Sequence, residues 1–314
     1  PRGERLMARP MIGCLLNRLT AANAAEWRRI VARAESAGLD HVAVGDHVSF
    51  RGGAGADGLL AASTVLGVSE GLGSNTAVYL LPLRHPVLVA RQLADISARA
   101  PGRFLFGVGL GGEDRHEIEI CGVDPATRGR RMDESVQAIR ELLTGRPVDF
   151  TGKQVTLARA QILPAVAEPI PIVIGGRSDA AVRRAGRVGD GWFGIWVSAG
   201  RYQQVVAQME GVAHEANRDI VRWTNALNVW CGVDDVSDQA RTHVGQAMEA
   251  YYGLPYEKFE KWSPAGPPKQ LAEFLMPYVA AGCSVFNLII NGPSADAEID
   301  AVAEIRQRVH DATS

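Results

Sequence analysis

Residues 11–48 read MIGCLLNRLTAANAAEWRRIVARAESAGLDHVAVGDHV. The apolar run at 11–16 has the length of a buried strand. At 24–38 the period changes: Trp27, Ile30, Val31 and Ala34 recur at helical spacing, and Gly38 is a stop signal. A second strand-length run, 40–45, follows. This strand–helix–strand unit begins either a doubly wound open sheet or a closed (β/α)8 barrel. The first turn discriminates between them. A doubly wound dinucleotide sheet carries a Gly-x-Gly-x-x-Gly turn directly after its first strand, whereas NRLTAAN at 17–23 contains no glycine. The turn therefore predicts the barrel.

Working outward, the alternation continues to the end of the chain. Strands are expected at TAVYLL (76–81), RFLFGVG (103–109), IPIVIGG (170–176), GWFGIW (191–196), NALNVWCGV (225–233) and SVFNLII (284–290). Helices are expected around 63–70, from Pro86, and at 131–145, 178–189 (Ser178 as N-cap), 199–217, 237–251 and 295–310. Eight strands each followed by a helix, with no break in composition, predict one α/β domain over 11–314, a (β/α)8 TIM barrel. Two stretches exceed the repeat, 146–169 and the aromatic, proline-rich 252–268. They are expected as loop insertions that either shape a substrate site or form surface excursions. Residues 1–10 read as an upstream extension or cloning remnant.

The 314 residues are 46% hydrophobic and 22% charged, with a formal net charge of −2. That balance carries no basic footprint for nucleic acid. No apolar run approaches the roughly 18–20 residues that span a bilayer. Cys14, Cys121, Cys231 and Cys283 are widely spaced and form no CxxC pair, as in a cytoplasmic protein with buried thiols.

A barrel places chemistry at the C-terminal ends of its strands. Asn17 follows strand one, and Asp46 and His47 follow strand two. PLRHP (82–86) follows strand three, and GLGGEDRHE (109–117), with Gly109, Glu113 and Glu117, follows strand four. Gly175, Gly176, Arg177 and Ser178 follow strand five. Trp196 ends strand six, Trp230 lies in strand seven, and Asn291 follows strand eight. His47 has the residue type for proton transfer near neutral pH, or it is a spectator beside a loop aspartate. The 175–178 run leads into a helix N-terminus, so it reads either as an anion site or as a tight turn. The tryptophans read equally as substrate contacts and as core. His47, His85 and His116 follow successive strands but lack metal-ligand spacing, so no metal is expected. No GxSxG occurs. The charged run 128–134 reads as the solvated start of a helix, its acids facing the positive dipole end.

Five segments in order resemble the bacterial luciferase-like monooxygenase superfamily, in its coenzyme F420-dependent oxidoreductase branch: GLDHVAVGDHV (38–48), TAVYLLPLRHPVLVARQLADI (76–96), GRFLFGVGLGGEDRHEIEICGVD (102–124), RGRRMDE (128–134) and PIPIVIGGRSDAAVRRAGRVGDGW (169–192). The resemblance implies a barrel that binds a deazaflavin and performs hydride transfer with a small-molecule substrate. It implies Asp46 and Gly109 beside the cofactor, His47 as proton donor or acceptor, and Glu113 as a catalytic acid, Glu117 having a structural place. Ala77 and Val78 would form a bulge, with a non-prolyl cis peptide, behind the ring. Gly175, Gly176, Arg177 and Ser178 would hold its phosphate. The Asp-His pair favours F420 over FMN, whose use with oxygen would make the chain a monooxygenase. A non-catalytic cofactor-binding barrel is a further alternative. The sugar-phosphate-oxidising members bind phosphate through lysines and an arginine; GIWVSAGRYQQ (194–204) has no lysine, so Trp196, Trp230, Cys231 and Tyr251 or Tyr252 point to an apolar or aromatic substrate, with Asn17, Trp196 and Trp230 as its expected contacts. The resemblance also implies a homodimer built on the faces at 59–68 and 87–98.

Overall fold

A computed structural model describes residues 9–16, 23–112, 114–219 and 221–314. In chain order the elements are β1 (Met11–Leu15), α1 (Ala24–Ser36), β2 (His41–Val44), β3 (His47–Phe50), β4 (Ala54–Ala56), α2 (Gly58–Val68), β5 (Gly73–Thr76), α3 (Pro86–Arg99), β6 (Phe104–Val108), α4 (Arg115–Ile120) and α5 (Arg128–Leu142). There follow β7 (Val148–Thr151), β8 (Thr156–Ala160), β9 (Ile172–Gly175), α6 (Asp179–Val188), β10 (Gly191–Ile195), α7 (Ala199–Glu215) and β11 (Ala226–Val233). The last are α8 (Ser237–Tyr252), β12 (Ala265–Gly266), α9 (Pro268–Ala280), β13 (Val285–Asn291) and α10 (Ala295–Ala312).

Strands run in the order β10-β9-β6-β5-β2-β1-β13-β11, and β10 pairs back with β11, closing the (β/α)8 barrel. The barrel strands are buried almost throughout, as HVAV and FLFGV illustrate, because a parallel sheet is covered on both faces. The flanking helices begin where side chains satisfy their first N–H groups: Asn23 caps α1, His85 with Pro86 opens α3, and Ser294 caps α10.

The chain divides into two compact units. One comprises residues up to Val42, Gly194–Ala207 and Thr224–Ser314. Its sheet is held by seven consecutive β11–β13 partners, Ala226–Gly232 against Val285–Asn291, with β1 on the other edge of β13. Asp40 ties its ends together, accepting from Ile12 N at 2.8 Å and from both arms of Arg306 on α10. His41 is buried and donates from Nε2 to Asn287 Oδ1 at 2.6 Å; burial holds its pKa below the ordinary value. The α9 helix lies outside the expected eight. Its Leu271, Ala272, Leu275, Tyr278 and Val279 are buried at helical spacing, but Pro277 inside it reads as a break in the sequence. The stretch 252–268 packs here through buried Tyr256 and Phe259, and β12 pairs with the end of β11.

The other unit comprises Ala43–Phe193 and Gln208–Trp223. Val89, Leu93, Phe106, Val108, Val136, Ile139 and Val173 are fully buried in it, each worth about 1.5–3 kcal/mol of apolar burial. Three expectations need correction here. The third barrel strand is Gly73–Thr76, earlier than 76–81: after Thr76 the Ala77–Val78 peptide is cis, and pairing resumes only at a Tyr79–Val108 bridge. Its Ser74, Asn75 and Thr76 are polar yet buried, and Thr76 Oγ1 donates to Gly107 O at 2.7 Å. The charged run 128–134 is also not simply solvated. Asp133 pairs with Arg184, and Arg131 donates to Pro82 O at 3.0 Å. Glu134 accepts from Lys153, Gln154 and Val155 N at 2.7–3.0 Å, clamping the turn of the β7–β8 hairpin that occupies the first insertion. The third concerns strand two, which is followed by a second hairpin, β3–β4, turning through Gly52 and Gly53 at φ 91° and 106°.

Candidate functional site

In the unit that starts at Ala43, β2 ends and the chain turns through Gly45 into Asp46. The Asp46 side chain is wholly buried. Oδ1 accepts from Gly58 N at 2.9 Å and Arg84 Nη2 at 2.8 Å; Oδ2 accepts from Leu80 N at 2.8 Å and Arg84 Nη1 at 2.7 Å. Burial pushes this carboxyl above its ordinary pKa, while Arg84 and the two backbone N–H groups oppose the rise. Four donors fill the acceptor positions of a carboxylate, so Asp46 ties the end of β2 to the segment after β5. The Arg84 guanidinium also lies 4.4 Å over the Tyr79 ring and 3.8 Å from Asp57, the N-cap of α2.

His47 opens the β3–β4 hairpin. Its Nδ1 donates to Glu117 Oε2 at 3.0 Å, and Phe50 stacks on its ring with centroids 4.2 Å apart at 25°. Glu117 is 2% exposed and also accepts from Val48 N at 2.6 Å and Ser49 N at 3.1 Å. Asp114, the N-cap of α4, accepts from Arg51 N at 2.8 Å, fastening the same short helix to the hairpin turn. Glu113 and Asn17 lie outside the described residues.

Val78 connects three of the other expected residues. A Cβ on Gly109 would meet Val78 Cγ2 at 2.4 Å, and one on Gly175 would meet Val78 Cγ1 at 3.1 Å. The glycines after β6 and in β9 thus admit the Val78 side chain, and Ala77–Val78 carries the non-prolyl cis peptide. Gly176 has φ +130°, and its carbonyl accepts from Trp192 Nε1 at 2.7 Å. This bond orients the turn that leads through exposed Arg177 to Ser178, whose hydroxyl caps α6 by accepting from Ala181 N. The arrangement is a strand, a left-handed glycine and a capped helix start, with the dipole favouring an anion.

Trp196 and Trp230 belong to the other unit, where they join one aromatic cluster. Trp196 meets Tyr252 edge-on at 4.9 Å and Phe259 at 4.8 Å; Trp230 lies 5.6 Å from Tyr252 and 5.8 Å from Tyr251. Trp230 Nε1 donates to the Tyr252 hydroxyl at 3.2 Å. Trp230 is buried, whereas Trp196, Tyr251 and Tyr252 are half-buried. Trp196 has φ +49°, a left-handed backbone position uncommon for a bulky residue. The second insertion supplies Phe259, and Arg241 on α8 holds that insertion by pairing with Glu260 and lying over the Tyr256 ring.

Cys14, Cys231 and Cys283 are buried, and burial pushes the Cys14 and Cys283 thiols up to about 12. Among the described residues, no group of three or more histidine, cysteine and carboxylate side chains is arranged to hold a metal ion. His85 accepts from Val87 N as the cap of α3. Arg84 and Phe50 escaped the sequence reading, and Glu117 was read there only as structural. The Asp46–Arg84 and His47–Glu117 pairs join residues 38 and 70 positions apart, and no short-range pattern marks them.

Comparison with known proteins places these features in context. The luciferase-like monooxygenase family matches residues 11–282. An uncharacterised protein of Mycobacterium bovis is 35% identical over 151 residues, 48% of this chain and 52% of that relative, so the chain spans about half of its length. An F420-dependent glucose-6-phosphate dehydrogenase of Amycolatopsis mediterranei is 27% identical over 295 residues, covering 85% of this chain and 88% of the dehydrogenase. Among solved structures, an F420-dependent secondary alcohol dehydrogenase in complex with an F420–acetone adduct superposes with a TM-score of 0.84 at 21% identity, over 96% of this chain and 99% of that one. At that identity the likeness is one of fold. No helix among the described residues is long and apolar enough to cross a membrane.

Proposed function

Because the chain belongs to the luciferase-like monooxygenase family, we propose that it is a coenzyme F420-dependent oxidoreductase, transferring hydride between the deazaflavin and a small apolar or aromatic organic molecule. The carrying observation is the Asp46-His47 pair at the end of β2, in the same compact unit as the Val78–Gly109–Gly175 cradle and the capped α6 start. The F420-dependent dehydrogenase that aligns over 85% of the chain supports the choice of cofactor.

The residues present fit such a group. Gly109 and Gly175 carry no side chain where Val78 is seated, and Gly176 takes a left-handed turn directly before a helix N-terminus. Ala77 and Val78 would support the ring, and Gly175, Gly176, Arg177 and Ser178 would hold the phosphate. When bound, the deazaflavin supplies the hydride-accepting or hydride-donating carbon. His47 moves the proton that accompanies the hydride, with Glu113 as a second candidate acid. Asp46 serves the same site by holding Leu80 N, Gly58 N and Arg84. Asn17, Trp196 and Trp230 would contact the substrate, Trp196 and Trp230 within the aromatic cluster. The absence of lysine from residues 194–204 argues against a sugar phosphate. A homodimer in the cytoplasm is part of this reading.

Titrating the purified chain with F420 and with FMN, followed by fluorescence, tests the proposal. Saturable F420 binding with no FMN response is expected. Tight FMN binding without an F420 response would replace it with a reduced-FMN, oxygen-using monooxygenase. His47→Ala should retain F420 binding and lose turnover; undiminished turnover would remove His47 from the chemistry.

A further inference from the structure

The Glu117 carboxylate is more fully engaged than a hairpin anchor requires. A buried carboxylate is costly unless hydrogen bonds replace its water. Val48 N and Ser49 N both donate to Oε1, which already fastens α4 to the start of β3. Oε2 is turned to His47 Nδ1 at 3.0 Å, and no arginine or lysine pairs with Glu117 among the described residues. The imidazole is therefore held at its edge by Glu117, on its face by Phe50 and at its backbone by the hairpin.

An ionised carboxylate only accepts hydrogen bonds. Beside it, Nδ1 must carry a proton, and in the neutral ring Nε2 is then the basic nitrogen. We propose that Glu117 is the positioning residue for His47: it selects the Nδ1–H tautomer and aims the ring so that Nε2 exchanges the proton. This rests on the oxidoreductase reading. As a substrate hydroxyl is oxidised, its carbon gives up two electrons with the hydride, which passes to the deazaflavin. The O–H proton passes to His47 Nε2, and the resulting imidazolium is stabilised by the Glu117 carboxylate. The reverse reaction returns the same proton.

The test begins without cofactor. In protein carrying ¹⁵N-histidine, with His47→Gln used to assign the signals, long-range ¹H–¹⁵N correlation should show His47 with a protonated Nδ1 and an unprotonated Nε2 at alkaline pH. The opposite tautomer in the wild type would overturn the proposal. Glu117→Gln can keep an oxygen toward Val48 N and Ser49 N but turns an amide donor toward Nδ1, so the tautomer should reverse; an unchanged tautomer in the folded variant would also overturn it. In turnover, Glu117→Gln should leave the F420 dissociation constant within about twofold and lower kcat by about 10²-fold, at the low end of general acid–base contributions. Equal kcat in variant and wild type would overturn the positioning role. If F420 failed to bind the wild type, the oxidoreductase reading would fall while the tautomer result stood. If Glu117→Gln did not fold, the wild-type spectrum would still decide the tautomer.

Discussion

At the scale of single residues, the Asp46–Arg84 pair places a buried carboxylate and a guanidinium together, with both oxygens and both arms engaged. Removing one member of such a pair leaves the other charge buried without its partner. Arg84→Met should therefore cost about 3–5 kcal/mol, read from urea unfolding midpoints. The double variant Asp46→Asn, Arg84→Met should recover part of that loss, because the orphaned charge is gone. Midpoints equal to wild type in the single variant would show that Asp46 is satisfied by Gly58 N and Leu80 N alone.

At the scale of elements, β5, β6 and β9 are brought to one place by the Val78 side chain between Gly109 and Gly175. Valine is stiff at χ1, so its methyl groups cannot swing away from an added Cβ. Gly109→Ala, 2.4 Å from Val78 Cγ2, should cost about 1–3 kcal/mol through overpacking and weaken F420 binding by displacing the bulge. Gly67→Ala on α2, where the added Cβ meets nothing within 4 Å, should instead stabilise by up to about 1 kcal/mol. Thermal and denaturant unfolding of the two variants checks both signs. Gly109 after β6 and Gly175 at the end of β9 were expected from the sequence beside the cofactor and at its phosphate. That the approaching group is a valine from the neighbouring strand was not, because it depends on strand register. The β3–β4 hairpin was missed although Gly52-Gly53 lies between two short extended stretches, a turn signal in itself. The apolar helix α9 was missed because Pro277 interrupts its last turn.

At the scale of the whole molecule, the dimer proposed with the function would use the outer faces of α2 and α3. Leu60 and Leu88 are 67% and 65% exposed, on α2 and α3, and Val68 closes α2 on the same compact unit. Apolar side chains of that size in water favour a covered surface. Sedimentation should give the mass of two chains, and Leu88→Glu should give one; a single-chain mass for the wild type would withdraw the dimer. The barrel itself was readable from residue order, since the alternation of short apolar runs with helical periods is written in neighbouring residues and follows from backbone geometry. So were the cap at Ser178 and the lack of a glycine turn after β1, both local properties. The contacts of Asp46 and His47 had another origin: Arg84 and Glu117 reach them only because the barrel brings the segments after β2, β5 and β6 together. The aromatic cluster likewise joins Trp196, Trp230, Tyr252 and Phe259 from separate elements. Sequence by itself determined the alternation of the eight barrel strands with their helices and its order, because that depends on short-range periodicity. Only the tertiary structure decided which buried charges and rings meet, because side-chain contact depends on register and on the paths of the intervening loops.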